Sequence, residues 1–476
     1  MEHVYRPDRI LGNALTELTP WHYHRWGAAL GSLIPPGGKF LIGSDVRESS
    51  PRFRAGLIQG LCSAGASVVD LGTLPTTMVY YAMARTTANA CAIVTGDDAP
   101  AEYNGLRWRI GNQPPCSGHF ALFHIFEEEE NRRNDVSGNH ADLNGSECKG
   151  SERKGSVRTL DITFDYVAWY QETWFDTCAT PLGVVVDPMH GSWAGKARRY
   201  LQAIFPHMLV SSIRDEPDPD FGGRIPSSTV PGQLEALSWE VDRRRADIGF
   251  AFDADGNRLT LIDGCGIPLQ PEKTAWFLLD SFGDCMKGEL MLHDAGCSEV
   301  ILDRLRRSGV ELLSVPRGCT SFWKMMRNTG ACLGFETGGY YYFRGIRGSS
   351  DPLFIACWIL DRVATLRESG MSFTSWRAGA PRFAITPELV LEISEIEAVM
   401  RHLAKRWKTK PLEVEGGMRL RNEDGWLYLR ECRASNSLSV RIEAVDKKKL
   451  YALLRNTAGA LDDAGLSGKE ILKIAY

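Results

Sequence analysis

Three successive stretches of this chain repeat one rhythm, and that repetition limits the folds open to it. Each is roughly a hundred residues long and alternates short apolar runs with 3.6-periodic segments. In the first, residues 20–33 are helix-like, with Thr19 as a cap before Pro20 and with Trp26, Leu30 and Leu33 on one face. An apolar run at 39–42 follows. Ser50-Pro51 then reads as a capping hydroxyl and first-turn proline, ahead of Phe53, Leu57, Ile58, Leu61 and Cys62 on one helical face. Runs at 67–71 and 90–94 flank a helical segment at 76–86. After a linking helix at 161–174, the second stretch has a run at 183–186, a helix near 194–205 and paired runs at 248–252 and 259–262. The third sets helices at 271–282, 298–308, 320–328 and 351–368 beside runs at 289–293 and 310–315. Strand–helix–strand at this spacing predicts α/β layers with a mostly parallel sheet. Ligands of such sheets sit at the carboxyl ends of strands, here residues 43–47 and 95–107. The final stretch breaks the rhythm. Helices at 395–406 and 447–460 enclose strand-like 426–430 and 440–443, which predicts a separate α+β domain. The acidic run 127–130 and the Gly/Ser/Asn/Lys mixture after it, to about 156, read as an exposed, mobile loop.

A chain of 476 residues is too long for one core, and its 43% hydrophobic and 24% charged content is that of a soluble globular protein. A net charge of −4 with no basic face predicts no nucleic-acid partner. No apolar run is long enough to span a bilayer and the first ten residues are not a signal peptide, so no membrane association is expected. Twelve scattered cysteines without a CxxC pair predict reduced thiols in a cytoplasm.

The paired runs at 248–252 and 259–262 are joined by Asp253-Ala254-Asp255-Gly256-Asn257-Arg258. Side chains two apart in a turn converge, so Asp253, Asp255 and the Asn257 carbonyl offer three hard oxygens to one cation, enough for Mg²⁺ with waters and a phosphate completing its shell. Arg258 beside them suits an anion touching the same metal. The same residues also make an ordinary hairpin turn. An EF-hand is excluded, because its loop needs Gly where Arg258 stands and Glu where Gly264 stands.

Four loops, taken in order, resemble those of the α-D-phosphohexomutases, the phosphoglucomutase/phosphomannomutase family. Gly43-x-Asp45-x-Arg47-x-x-Ser50 and Pro100-x-x-Tyr103-Asn104-Gly105 are similar to the first-domain motif and the tail of its catalytic loop. Residues 253–258 resemble the metal loop, and Gly334-Phe335-Glu336-Thr337-Gly338-Gly339-Tyr340 resembles the sugar loop. Arg433-Ala434-Ser435-Asn436-Ser437, with Arg441 after it, resembles the phosphate loop. The resemblance runs from about residue 5 to the C-terminus, apart from the loop around 127–156. It implies three related α/β/α domains and a C-terminal α+β domain around a central cleft, at residues 1–178, 179–264, 265–380 and 381–476. It also implies Mg²⁺ as cofactor, held by Asp253, Asp255 and Asn257, and a hexose phosphate or bisphosphate as ligand, with phosphate moving between C1 and C6. Substrate contacts would come from Arg258, Arg317, Glu336, Gly338 and Tyr340, and phosphate contacts from Arg433, Ser435, Asn436, Ser437 and Arg441.

The reacting positions depart from the family pattern. Asp97 stands where the family carries its phosphorylated serine, Asp98 where it has histidine, and Arg107 where it has a lysine. Arg107 cannot serve as a general base. Leu11 replaces an arginine, Asn257 an aspartate, Gly338 a serine and Tyr340 a histidine. Asp45 and Arg47 are expected as a structural ion pair. Three readings stay open for Asp97: a nucleophile forming an aspartyl phosphate, a permanent phosphoserine mimic ligating the cation with Asp253 and Asp255, or a relic in a catalytically inactive phosphosugar-binding paralogue.

Overall fold

In the computed structural model, the apolar run beginning at Lys39 forms the strand Lys39–Ser44, and a sheet grows from it on both sides. The structure describes residues 2–137, 155–175, 179–280, 286–392, 396–414, 417–432 and 437–472. They fall into two compact units, Met1–Leu269 with Gly345–Thr374, and Gln270–Arg344 with Ser375–Tyr476.

In the first unit, Lys39–Ser44 lies parallel to Ala90–Val94 on one side and to Ser67–Thr73 on the other, and Ser156–Thr159 extends the parallel set. Tyr103–Ile110 pairs antiparallel with Ala90–Val94 and then with Arg9–Asn13. The chain therefore leaves the carboxyl end of Ala90–Val94, makes a loop and returns beside it. Helices Pro20–Ser32 and Ser50–Ser63 close over a core containing Trp26, Leu30, Phe40, Phe53, Leu57 and Val94. Thr19 caps the first as expected, accepting from the His22 N–H. Ser50 does not cap the second; its hydroxyl goes to Asp45 instead.

The expected loop at 127–156 begins as helix. Ser117–Ser137 runs through the acidic stretch, with Phe120, Phe123 and Phe126 packed on the core. Glu127 is buried and accepts hydrogen bonds from Tyr5 Oη (2.7 Å) and Trp26 Nε1 (2.9 Å). Charge composition misled because the apolar residues recur every three positions around it. Residues 138–154 lie outside the described residues.

A second sheet of this unit has the order Leu259–Asp263, Ile248–Phe252, Gly183–Asp187, Leu209–Ser212. It is parallel except for the hairpin, whose register pairs Phe252 with Leu259 and leaves residues 253–258 as the turn. The strand Leu209–Ser212 and the helix Glu235–Arg244 were not expected, although Leu234, Leu237 and Val241 recur at helical spacing and share one core cluster. The helix Pro352–Glu368 also belongs here; its N-cap Asp351 accepts from Tyr166 Oη at 2.8 Å.

In the second unit, Glu311–Ser314, Leu290–His293 and Leu333–Phe335 are parallel, and Tyr341–Phe343 turns back antiparallel. A separate antiparallel sheet runs Ala384–Ile385, Ser437–Ala444, Gly425–Cys432, Gly417–Asn422, Leu412–Val414. Helices Ile396–Trp407 and Lys447–Asp463 share its hydrophobic core. The class is α/β with a terminal α+β layer, as expected. Among the described residues no helix is long and apolar enough to cross a membrane. Eight described cysteines, including buried Cys91, Cys297 and Cys357, are free thiols.

Candidate functional site

The loop after Ala90–Val94 is ordered by a buried ion pair. Asp45 Oδ2 accepts from Arg47 Nη1 (2.5 Å), Thr95 Oγ1 (2.8 Å) and the Gly96 N–H (3.1 Å), while Asp45 Oδ1 accepts from Ser50 Oγ and the Arg47 N–H. Arg47 is wholly buried, and its Nη2 donates to the carbonyls of Asp97 (3.1 Å) and Ala99. So dense a set of partners is what makes a buried pair tolerable. Gly96 is required by space: a Cβ there would lie 2.6 Å from the Tyr103 carbonyl and 2.7 Å from Arg47 Cζ.

The loop delivers Asp97 with φ at +59°, a left-handed conformation that aspartate accepts better than most residues. Its N–H donates to Thr95 Oγ1 at 3.0 Å. Its Oδ2 accepts from Arg9 Nη1 at 2.6 Å and from Arg107 Nη2, with Arg258 Nη2 4.0 Å away. Burial by itself raises this carboxyl, but the guanidiniums of Arg107, Arg9 and Arg258 outweigh it and hold the group far below the ordinary carboxylate range. Arg9 was not anticipated. It lies two residues before Leu11 on the strand Arg9–Asn13, hence on the same face, and brings a guanidinium to the loop although position 11 has none. Asp98 is held by a fork: Arg258 Nη1 reaches its Oδ2 at 2.5 Å and Nη2 its Oδ1 at 3.0 Å, with Ser227 Oγ at 3.2 Å. Arg258, expected to face an anion, thus has both Nη atoms on a carboxylate of the chain itself.

In the hairpin turn, Asp253 Oδ1 accepts from the N–H groups of Asn257 (2.9 Å) and Arg258 (3.0 Å). Asp255 Oδ2 accepts from Thr76 Oγ1 (2.8 Å) and Asn257 Nδ2 (2.7 Å). Thr76 N–H, Trp193 Nε1 and Ser350 Oγ donate to the carbonyls of Asp255, Gly256 and Asn257, at 2.8, 3.0 and 2.8 Å. Thr76 and Ser350 come from remote parts of the chain and no local sequence signal marks them.

Three buried oxygens accept no hydrogen bond: Asp253 Oδ2, which pairs with Arg258 Nε at 3.4 Å, Asp255 Oδ1 and Asn257 Oδ1. Asp97, Asp253 and Asp255 each offer an oxygen, all within 4.8 Å of one another. Burial pushes Asp253 up to about 7, with Arg258 opposing and Asp97 adding to the rise. Asp255 is likewise raised well above the ordinary range, by burial and then by the charges of Asp97 and Asp253. Hard oxygens that accept no hydrogen bond and crowded carboxylates that resist ionisation together form a site a divalent cation fits, and an all-oxygen donor set selects the Mg²⁺, Ca²⁺ and Mn²⁺ class.

In the second unit, the turn between Leu333–Phe335 and Tyr341–Phe343 carries Glu336. It is buried, with Oε1 accepting from Tyr342 Oη and Oε2 from the Gly318 N–H at 3.2 Å. Arg317 Nε stands 3.6 Å from Oε2, and its Nη1 donates to Glu388. Burial raises Glu336 to about 7 against the pull of Arg317. Glu388 also takes Arg430 Nη2 (3.1 Å) and Ser439 Oγ, so Arg317–Glu388–Arg430 forms a charged cluster that the sequence did not reveal. Gly338 lies at the turn against Arg317. Tyr340 is 5% exposed, in a cluster with Leu292, Val315, Phe322 and Tyr342, rather than standing on the loop surface.

Arg441, expected in the phosphate site, is bonded within the second unit. Its Nη1 lies 2.7 Å from Glu272 Oε1 and 2.7 Å from the Gly296 carbonyl, and Nε donates to the Thr386 carbonyl at 3.3 Å. Arg441 and Glu272 are both buried. Ser437 is likewise buried, at the start of its strand. Arg433, Ser435 and Asn436 lie outside the described residues.

Residues 8–132 match the family model for phosphoglucomutase/phosphomannomutase α/β/α domain I, and residues 170–266 match that for domain II. The chain is 25% identical over 469 residues to the phosphomannomutase/phosphoglucomutase of Pseudomonas aeruginosa, covering 96% of this chain and 94% of that one. It is 27% identical over 341 residues to an Escherichia coli phosphomannomutase, covering 70% and 72%. A solved phosphoglucomutase/phosphomannomutase family protein from Burkholderia thailandensis shares the fold, with a TM-score of 0.81 at 23% identity, over 98% of each chain. This chain belongs to the α-D-phosphohexomutase family.

Proposed function

We propose that this phosphomannomutase/phosphoglucomutase-like protein binds Mg²⁺ and a hexose phosphate, with Asp97 standing permanently in place of the family's phosphorylated serine. One observation carries the reading. The Asp97 carboxylate is gripped by Arg9 and Arg107 while it, Asp253 and Asp255 each bring an oxygen within 4.8 Å of the others, and three oxygens of the neighbouring turn accept no hydrogen bond. A carboxylate so strongly stabilised as an anion is a weak nucleophile. Arg107 keeps its protons, and Asp98 is engaged by Arg258, so neither serves as a base in this arrangement. Asp253, Asp255, Asn257 and Asp97 would hold the metal. Mg²⁺, when bound, supplies a hard Lewis acid that offsets phosphate charge. The sugar would be received in the second unit by the Glu336 loop and Arg317, with phosphate contacts from residues 433–437.

On this reading the binding half of the family's chemistry persists without a phosphoryl carrier. We place the domains at residues 1–178, 179–264, 265–380 and 381–476, and the eight free thiols support a reducing, cytoplasmic setting. The competing reading, phosphoryl transfer between C1 and C6 through an aspartyl phosphate on Asp97, is supported by Asp97 occupying the nucleophile's position. Calorimetry with Mg²⁺ and glucose 1-phosphate tests the binding claim. Saturable binding of Mg²⁺ that weakens in Asp255→Asn, and binding of the sugar phosphate, are expected. Failure of both to bind the intact chain overturns it.

A further inference from the structure

A side chain at position 338 would have to displace another residue. A Cβ on Gly338 would lie 2.6 Å from Arg317 Nη2, with Arg317 Cζ at 3.4 Å and Nε at 3.6 Å. The Arg317 guanidinium therefore lies across the backbone of the turn that carries Glu336. That turn is closed by the Gly339 N–H to the Glu336 carbonyl and the Glu336 N–H to the Tyr340 carbonyl, both 3.0 Å. Arg317 is fixed there from two sides: Nη1 donates to Glu388, and Nε faces Glu336 Oε2 at 3.6 Å. Nη2 makes no hydrogen bond to any described residue, and the side chain keeps 18% of its surface exposed. A preorganised, charged N–H edge is thus presented at the tip of the loop.

We infer that Arg317 is the specificity-determining contact of this loop, and that it selects hexose phosphates whose ring carries an acceptor-only oxygen: an acyl carbonyl or a carboxylate. The inference rests on the proposal that the Glu336 loop receives the sugar. The chemistry is direct. A hydroxyl side chain at position 338 both donates and accepts and so reads a sugar hydroxyl either way round. A guanidinium only donates, and its charge strengthens the bond to an oxygen that has no proton of its own to place. Holding Arg317 between Glu388 and Glu336 removes most of the entropy cost of immobilising so long a side chain. Gly338 and Arg317 are one device: either a side chain at 338 or this guanidinium can occupy the tip.

The test is calorimetry on the full chain in Mg²⁺ with three probes: glucose 1-phosphate, N-acetylglucosamine 1-phosphate and glucuronic acid 1-phosphate. One of the latter two is expected to bind at least about tenfold more tightly than glucose 1-phosphate, the return of one charge-assisted hydrogen bond. The better of them identifies the oxygen as carbonyl or carboxylate. Arg317→Met and Gly338→Ser, the second of which pushes the guanidinium aside while keeping its charge, should each cut the preference below about threefold. If Arg317→Met does not fold, the wild-type ranking and Gly338→Ser decide. Three probes bound alike by the wild type, or a preference surviving in both variants, overturns the inference while leaving the sugar-binding reading intact. No binding of any probe, in protein that binds Mg²⁺, overturns both.

Discussion

Asp253 provides the sharpest consequence of crowding carboxylates in a buried turn. Its carboxyl titrates at about 7 in the folded chain, against an ordinary value of 3.8. The folded protein therefore holds this proton more tightly than the unfolded chain does, and stability falls as pH rises from about 4 toward 7, then levels off. The difference of about three units corresponds to on the order of 4 kcal/mol at about 1.4 kcal/mol per unit. Asp97 and Asp255 carry part of the same electrostatic load, so about half of that is expected from Asp253 alone. Asp253→Asn keeps the oxygen that accepts from the Asn257 and Arg258 N–H groups and removes the charge. In EDTA at pH 8 the variant should be more stable than wild type by about 2 kcal/mol, seen as a rise of a few degrees in the first melting transition. At pH 5, where the wild-type carboxyl is already protonated, most of that advantage should vanish. Mg²⁺ should invert the order at pH 8. It adds about 2.7 kcal/mol to wild type at a hundredfold excess over the dissociation constant, and little to the variant. Differential scanning calorimetry over both pH values, with EDTA or Mg²⁺, reads all four conditions. A variant destabilised in EDTA at pH 8, or stabilised by Mg²⁺ as much as wild type, would refute the reasoning.

Three further outcomes follow from the same contacts. Asp45→Asn leaves the wholly buried Arg47 without its counter-ion and should cost about 3–5 kcal/mol, read as a lower melting temperature together with faster proteolysis of the 95–100 loop. Gly96→Ala forces a Cβ to within 2.6 Å of the Tyr103 carbonyl and should destabilise by at least about 1–3 kcal/mol; an unchanged melting temperature would mean the loop is placed differently. Arg441→Met strands Glu272 and should lower stability by about 3–5 kcal/mol in urea titrations, yet leave the phosphate dependence of sugar binding unchanged, the reverse of what a phosphate ligand would show.

What could be read ahead of the structure was local. Asp253, Asp255 and Asn257 sit within five residues of each other between two apolar runs, so a turn was enough to bring them together. Asp97 and Asp98 were noticed because they break a short motif in place. Arg9 was hidden by a displacement of one pleat, although strand period two would have shown that residues 9 and 11 share a face. The partners of Arg441 are Glu272, Gly296 and Thr386, and those of Glu388 are Arg317, Arg430 and Ser439. Such pairings are set by tertiary packing, and no periodicity announces them. Glu127 failed for a different reason. A run of acids looks solvated, yet one of them is the buried acceptor for Tyr5 and Trp26. Three substituted positions share a pattern that only the structure exposes. Asp97 is met by Arg9 and Arg107, Asp98 by Arg258, and Gly338 by Arg317, so these three replacements each have a partner within the chain.

On the function proposed above, Asp97 is a fixed anion and not a phosphoryl carrier. Intact-protein mass spectrometry after incubation with Mg²⁺ and glucose 1,6-bisphosphate, alongside a mutase assay on glucose 1-phosphate and mannose 1-phosphate, tests it most directly. The account predicts no covalent phosphate and no turnover from protein that still binds the sugar phosphate in calorimetry. A phosphate adduct that disappears in Asp97→Ala, with turnover lost in parallel, would contradict it and make Asp97 a working nucleophile.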